Sequence, residues 1–450
     1  MQLEKNTLIK YGSLLLVIKI LYICSVALML PDDYLLWTYD KSIQVSNIII
    51  EIVPFFICLL LLINYCKYNN IYSFFLVCFF VLFYIPQNST LSVNGYSPLY
   101  FILVNFFSAL IIILIGKMSK KDNFRDTTTL SLRENIFSDR KLYTVLRIVL
   151  IVISIVSIFR TYLYNGLNIS VLFSEMYETR ADYADYAASI TGSLASYVIL
   201  FVTNIASWMV PIYLFFSLIN KKTLDILLSL FTLLAIFTIE MQKSQLMIIV
   251  VVLFVFYTER RKKLNRICEI VLFGFLGIFI VSLIEYYVTG SSTVFNLIIR
   301  RMFYGGAYST YKHYYFFMDN KKLMFSQDAF VIQNIVSKLW GRSYPISAVK
   351  VISENCYSGL LPSPNAGMFA ETIAQLGVAG IFVFPLIYRL IVWKMKRAAC
   401  VYGDDVAMIV MFMLILKFTN VYILASASMV GVVTFYFLAM AIKHLSFNLK

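Results

Sequence analysis

Apolar residues occur along this chain in runs of about twenty, separated by short polar breaks. A run of that length crosses the hydrocarbon core of a bilayer as a helix. About twelve such runs are predicted, at residues 11–30, 46–65, 71–86, 98–116, 143–160, 193–219, 223–239, 245–258, 268–288, 371–393, 406–422 and 427–443. Short basic clusters fall between alternate runs, at Lys117–Lys121, Arg140–Arg147, Lys221–Lys222, Arg260–Arg266 and Lys394–Arg397. Cationic loops resist translocation, so these clusters and both termini are expected on the cytoplasmic side. The pattern predicts an all-α, polytopic integral membrane protein, with residues 1–450 forming a single membrane domain.

Composition agrees with the pattern. The chain is 60% hydrophobic and only 14% charged, with a mean hydropathy of +0.80. Soluble domains carry about a quarter of their residues as charges. The net charge of +14 is mostly the topology signal of the basic loops, which removes the argument for nucleic acid as a partner. The N-terminal run from Tyr11 to Leu30, preceded by Lys5 and Lys10, ends in Leu30-Pro31-Asp32 without a small-x-small cleavage site. It is therefore expected to be a retained span rather than a signal peptide.

Cysteine and histidine chemistry is sparse. Of seven cysteines, only Cys356 is expected in a large external loop, so no disulfide framework follows. The two histidines, His313 and His444, have no metal-ligand spacing, and neither a metal nor a cofactor is expected. Glu51, Glu240 and Glu285 lie near span ends, and Asp225 and Glu269 at cytoplasmic ends. No run centre shows the Asp/Glu/His chain of a proton relay. Lys417 falls inside the eleventh run, where it is either functional or snorkels to the outer interface.

Alternation leaves two enlarged loops outside, at residues 161–192 and 289–370. The first places Arg180 among Glu175, Glu178, Asp182 and Asp185, with Tyr177, Tyr183 and Tyr186 nearby. Arg180 suits a phosphate oxygen pair, or it pairs with Glu178 or Asp182. In the second loop, the ninth run is read as continuing outward through 295–304. This reading brings Arg300-Arg301 just above the membrane, against the positive-inside tendency. Lipid headgroups or a lipid-linked diphosphate are their expected partners.

Helical spacing then puts Tyr308, Tyr311 and Tyr315 on one face, to stack on sugar rings or to form an interfacial belt, with His313 on a neighbouring stripe. Residues 328–339 are amphipathic and are expected to lie on the outer leaflet or to cap a cavity. Glu371 stands near the start of the tenth run, where the helix dipole favours a carboxylate.

The passage Asn365-Ala366-Gly367, Glu371 and Gly377-Val378-Ala379-Gly380 resembles the "N-x-G…D/E…G-x-x-G" passage of Wzy-type O-antigen (oligosaccharide repeat-unit) polymerases. The plan of about twelve spans with two enlarged, arginine-bearing periplasmic loops resembles that family as well. At Ala181 this sequence differs from a family pattern that has glycine directly after the loop arginine.

The resemblance implies a GT-C-like membrane fold in the bacterial inner membrane and an active site on the periplasmic face. It implies transfer of a growing glycan from undecaprenyl diphosphate to a second lipid-linked repeat unit, and a chain-length regulator as a partner. Arg180, Lys243, Arg300 and Arg301 would stabilise the leaving diphosphate, and Glu371 or His313 would serve as the base. An O-antigen ligase and a lipid-linked oligosaccharide flippase are the alternatives. The length of loop 289–370 argues against the flippase.

Overall fold

The computed structural model describes residues 2–30, 45–66, 71–89, 99–115, 144, 147–152, 154–156, 194–240, 244–261, 266–320, 348–356, 367–420, 431–437 and 439–440. Within these, the chain is helical and contains no strand. Among the described residues, five helices are long and apolar enough to cross a membrane: Lys10–Met29, Val45–Asn64, Ile71–Ser89, Ile267–Thr289 and Met368–Tyr402. Shorter apolar helices include Ile102–Leu114, Ile205–Ile219 and Thr223–Leu234. Two compact units are present.

The first unit is Met1–Asn123, Asn265–Ile391 and Lys417–Ser426. It contains α1 (Gln2–Met29), α2 (Val45–Cys66), α3 (Ile71–Ser89) and α4 (Leu99–Ile115). Each of the first two helices buries one stripe and leaves another bare. On α2, Phe55, Cys58, Leu59 and Leu62 are buried, whereas Val45, Ile49, Val53, Phe56 and Leu60 are exposed. An exposed apolar stripe of that length is not tolerated in water, and hydrocarbon covers it without cost. α3 has no bare stripe. Every residue from Ile71 to Ser89 is buried, so α3 is the central helix of this unit.

α3 is not a uniform helix. Between Phe80 and Tyr84 its turns widen, with the Ile85 N–H donating to the Phe80 carbonyl five residues back. An extra residue in a turn rotates the following face, a device common at functional sites. Here it sets the direction of the polar terminus Gln87-Asn88-Ser89.

Further along, α8 (Ile267–Thr289) runs parallel to α1, as three contacts along their lengths establish. Lys10 pairs with Glu269 at 2.8 Å. The Tyr22 and Phe279 rings meet edge to face at 6.4 Å. The Ser282 hydroxyl lies 3.4 Å from the Met29 sulfur. α8 ends at Gly290, whose φ of 74° is the left-handed conformation that glycine adopts without steric cost.

The ninth run was expected to continue outward through 295–304. The chain instead turns at Gly290 and comes back along α8. Glu285 holds the turn, accepting from the Ser292 hydroxyl at 2.8 Å and the Val294 N–H at 3.0 Å. In the returning helix α9 (Phe295–Tyr304), Phe303 packs edge to face on Phe279 at 5.4 Å and on Phe275 at 6.0 Å. α9 is again widened, and continues directly into α10 (Gly305–Asn320). α11 (Ala348–Cys356) packs on α10.

The tenth run is broken in two. α12 (Met368–Leu376) stops at Gly377, with φ 56°, and α13 (Gly380–Ala399) begins three residues later. A Cβ at Gly380 would collide with the Thr372 carbonyl. The close approach at Gly380 is therefore to the chain's own preceding turn.

The second unit is Phe124–Leu264, Val392–Leu416 and Ala427–Lys450. α5 (Leu194–Ile219), α6 (Thr223–Glu240) and α7 (Ser244–Arg260) pack on one another in it. Arg147 pairs with Asp225 at 3.1 Å, and Trp208 stacks on Phe435 at 5.9 Å. α14 (Asp404–Asn420) belongs to this unit as far as Leu416, and its last turn, with the half-buried Lys417, belongs to the first unit.

Candidate functional site

The buried charges of the first unit define its polar interior. On α1, Tyr11, Leu15, Ile18, Tyr22 and Val26 form the buried stripe, and Lys19 lies beside them, 4% exposed. Its ammonium donates to Glu51 at 3.2 Å, to the Asn88 side-chain oxygen at 2.8 Å and to the Ser89 hydroxyl at 2.7 Å. All three ammonium protons are thereby used. The Phe55 ring closes over the group at 4.9 Å. One cation thus ties α1 to α2 and to the end of α3. The Gln87 amide continues the polar layer, donating to the Thr310 hydroxyl of α10 at 2.9 Å. The Asn105 amide of α4 in turn donates to the Gln87 carbonyl at 3.4 Å.

Glu371 lies in the first turn of α12, after Gly367. Its N–H donates to the Gly367 carbonyl at 3.1 Å, and its side chain is fully buried. The Tyr388 hydroxyl, one helix on, donates to the Glu371 carboxylate. The Tyr388 ring is in turn set by an edge contact with Phe418 at 5.1 Å. Phe369 packs on Phe83 at 4.6 Å and on Phe79 at 6.4 Å, fixing α12 against the central helix. A Cβ at Gly367 would lie 2.6 Å from the Phe418 carbonyl oxygen, so glycine alone fits where α12 begins. The arrangement is a carboxylate out of water, oriented by a phenol, at the positive end of a helix.

α10 packs along α12 and carries His313, which is fully buried. Its Nδ1–H donates to the Ser309 carbonyl at 2.7 Å. Burial pushes the imidazole down to about 4, against a smaller upward pull from that hydrogen bond. His313 is therefore neutral at physiological pH. Below about pH 6.5 the unfolded chain takes up a proton that the folded chain refuses until about pH 4. The contribution of His313 to stability is thus complete above pH 6.5 and is lost as pH falls towards 4, on the order of 3 kcal/mol in all. Melting curves from pH 7.5 to 4.5 should fall more steeply for the wild type than for His313→Asn. Parallel curves would show that His313 does not titrate this way.

The sequence-derived candidates are distributed unevenly around this centre. Arg300 is half-buried on α9, on the segment that returns along α8 rather than in a loop above it. Arg301 follows it in the same helix, and its side chain lies outside the described residues, as do Arg180, Lys243, the loop 161–192 and the amphipathic stretch 328–339. Tyr308 and Tyr311 are buried. Tyr308 stacks on Tyr304 at 5.9 Å and approaches Tyr311 at 6.3 Å. Tyr315 is 56% exposed. The three tyrosines therefore do not share one open face, and the first two serve as packing.

Lys19, Tyr388 and Arg389 were not among the expected site residues. The signal was present, since Lys19 and Arg389 are cations inside apolar runs, where an ionisable group marks function or a buried pair. Among the described residues, no group of three or more His, Cys, Asp or Glu side chains is placed to hold a metal ion. Comparison of the chain with known protein families, with curated proteins and with solved structures finds no match.

Proposed function

We propose that this protein is a polyprenyl-diphosphate-dependent glycosyltransferase that polymerises lipid-linked oligosaccharide repeat units at the periplasmic face of the inner membrane. In this reading the chain has about twelve spans in a GT-C-like arrangement, with both termini in the cytoplasm. The observation that carries it is the buried Glu371 carboxylate, held by Tyr388. It stands on a helix packed against the one that follows Arg300 and Arg301.

The reaction needs the groups this region offers. A hydroxyl of the acceptor repeat unit attacks the anomeric carbon of the donor, the bond from that carbon to the diphosphate oxygen breaks, and the lipid diphosphate departs. The hydroxyl proton passes to a base, for which Glu371 is the candidate. The developing charge on the diphosphate is met by Arg300 and Arg301, joined by Arg180 and Lys243 from the loops. His313 suits the base role less well, because it is neutral, buried and already bonded through Nδ1.

A flippase for the same lipid-linked unit is the second reading, and the buried Lys19–Glu51 pair between spans favours it. Deletion of the gene in its host, with surface lipopolysaccharide run on a gel and a plasmid copy as control, separates the readings. Core carrying a single repeat unit without the ladder is the polymerase outcome. Core without any repeat unit excludes the polymerase and leaves the ligase or the flippase.

A further inference from the structure

Among the described residues, the first unit buries two cations, Lys19 and Arg389, and treats them in opposite ways. Lys19 has all three donors satisfied by the chain. Arg389, on α13, is 6% exposed, and its Nε and Nη1 groups are buried with no hydrogen-bond partner. The contact the chain does offer is the Tyr72 ring, 4.4 Å from the guanidinium carbon. That ring holds the flat face of the guanidinium and leaves the in-plane Nε–H and Nη1–H donors without acceptors. The ring is itself fixed, because the Tyr72 hydroxyl donates to the Ile112 carbonyl at 2.8 Å.

A permanently charged guanidinium removed from water without an anion is costly, more so than a buried pair. Folds keep such a group where a partner arrives from outside. Among the described residues, none gives a carboxylate, carbonyl or hydroxyl to its Nε or Nη1 group. We infer that Arg389, backed by Tyr72, is a binding site for a phosphate group. A tetrahedral phosphate presents two oxygens at the spacing of the Nε–H and Nη–H fork, and such bidentate pairs are the strong ones.

The depth of the site agrees with this assignment. Tyr72 is the second residue of α3, and Ile112 lies in the last turn of α4. The guanidinium therefore lies at the level of helix ends, where the phosphates of a leaflet lie, rather than at the mid-plane. A phospholipid headgroup and a free phosphate share this chemistry. The inference is independent of the glycosyl-transfer reading, because it involves neither Glu371 nor Arg300.

The test uses the full-length protein, delipidated in dodecyl maltoside, with its melting midpoint followed during titration. A ligand that binds the folded form alone raises that midpoint by mass action. One titration adds phosphatidylglycerol to the micelles, and another adds inorganic phosphate. A rise with phosphatidylglycerol alone assigns the site to a lipid headgroup. A rise with inorganic phosphate assigns it to a free anion.

In either case Arg389→Gln should remove the rise. Arg389→Lys, which keeps the charge and loses the fork, should need roughly tenfold more ligand for the same rise. Arg389→Met provides the control for folding. In phosphate-free micelles it should melt at or above the wild-type midpoint, since it removes an unpaired charge. The inference is overturned by no rise in the wild type with either ligand, by an equal rise in Arg389→Gln, or by a lower midpoint for Arg389→Met in phosphate-free micelles.

Discussion

Lys19→Met should lower the stability of this protein by about 3–5 kcal/mol, because it takes the cation from a carboxylate that the fold has removed from water. Glu51 is fully buried, and the Lys19 ammonium lies 3.2 Å from it. Glu51→Leu alone should be as damaging for the converse reason, leaving an ammonium among Phe55, Asn88 and Ser89. The double variant Lys19→Met/Glu51→Leu should regain much of the loss. Removing both charges replaces a pair whose desolvation nearly cancels its attraction. Melting midpoints of the four proteins in detergent form the cycle that checks this. Additive losses would show that the two side chains do not act as a pair.

Loss of the Glu371 carboxylate should be the most severe functional lesion. If this group takes the acceptor proton, Glu371→Gln keeps the shape and the Tyr388 contact and removes the base. Glycan transfer should then fall by about 10²- to 10⁴-fold, the usual weight of a positioned general base. In cells the ladder should collapse to a single repeat unit while membrane levels of the protein persist. Tyr388→Phe should be milder, because the carboxylate remains but loses its orienting donor. Quantifying protein by immunoblot beside the glycan gel separates a lost base from a lost fold. A Glu371→Gln variant that still builds a full ladder would remove Glu371 from the mechanism.

The helical, membrane-spanning character of the chain is readable from its apolar runs, since a bilayer leaves the backbone few other ways to satisfy its hydrogen bonds. The place of Glu371 in the first turn of a helix was readable as well, from its position near the start of the tenth run. Its phenolic partner was not, because Tyr388 reaches it across the break at Gly377, whose φ of 56° leaves no mark in the apolar pattern. The turn at Gly290 was missed for a similar reason. Apolar spacing continues through 295–304, and a window of hydropathy does not distinguish a helix that proceeds from one that folds back. Tyr308 and Tyr311 show the opposite limit. Their spacing brings them together, and only packing reveals that both are buried while Tyr315 is exposed.

The burial of α3 on every side has a consequence for biogenesis. Of the five long apolar helices it is the least hydrophobic, and it ends in Gln87-Asn88-Ser89, which lipid would reject. Among its neighbours, α2 leaves the ribosome before it, while α8 begins only at Ile267. For much of synthesis α3 must therefore wait in a half-finished bundle, with Lys19 on α1 as its polar partner. The same cation that locks the mature structure is already available to hold this helix at the translocon. Insertion of the third segment should consequently depend on a side chain from the first.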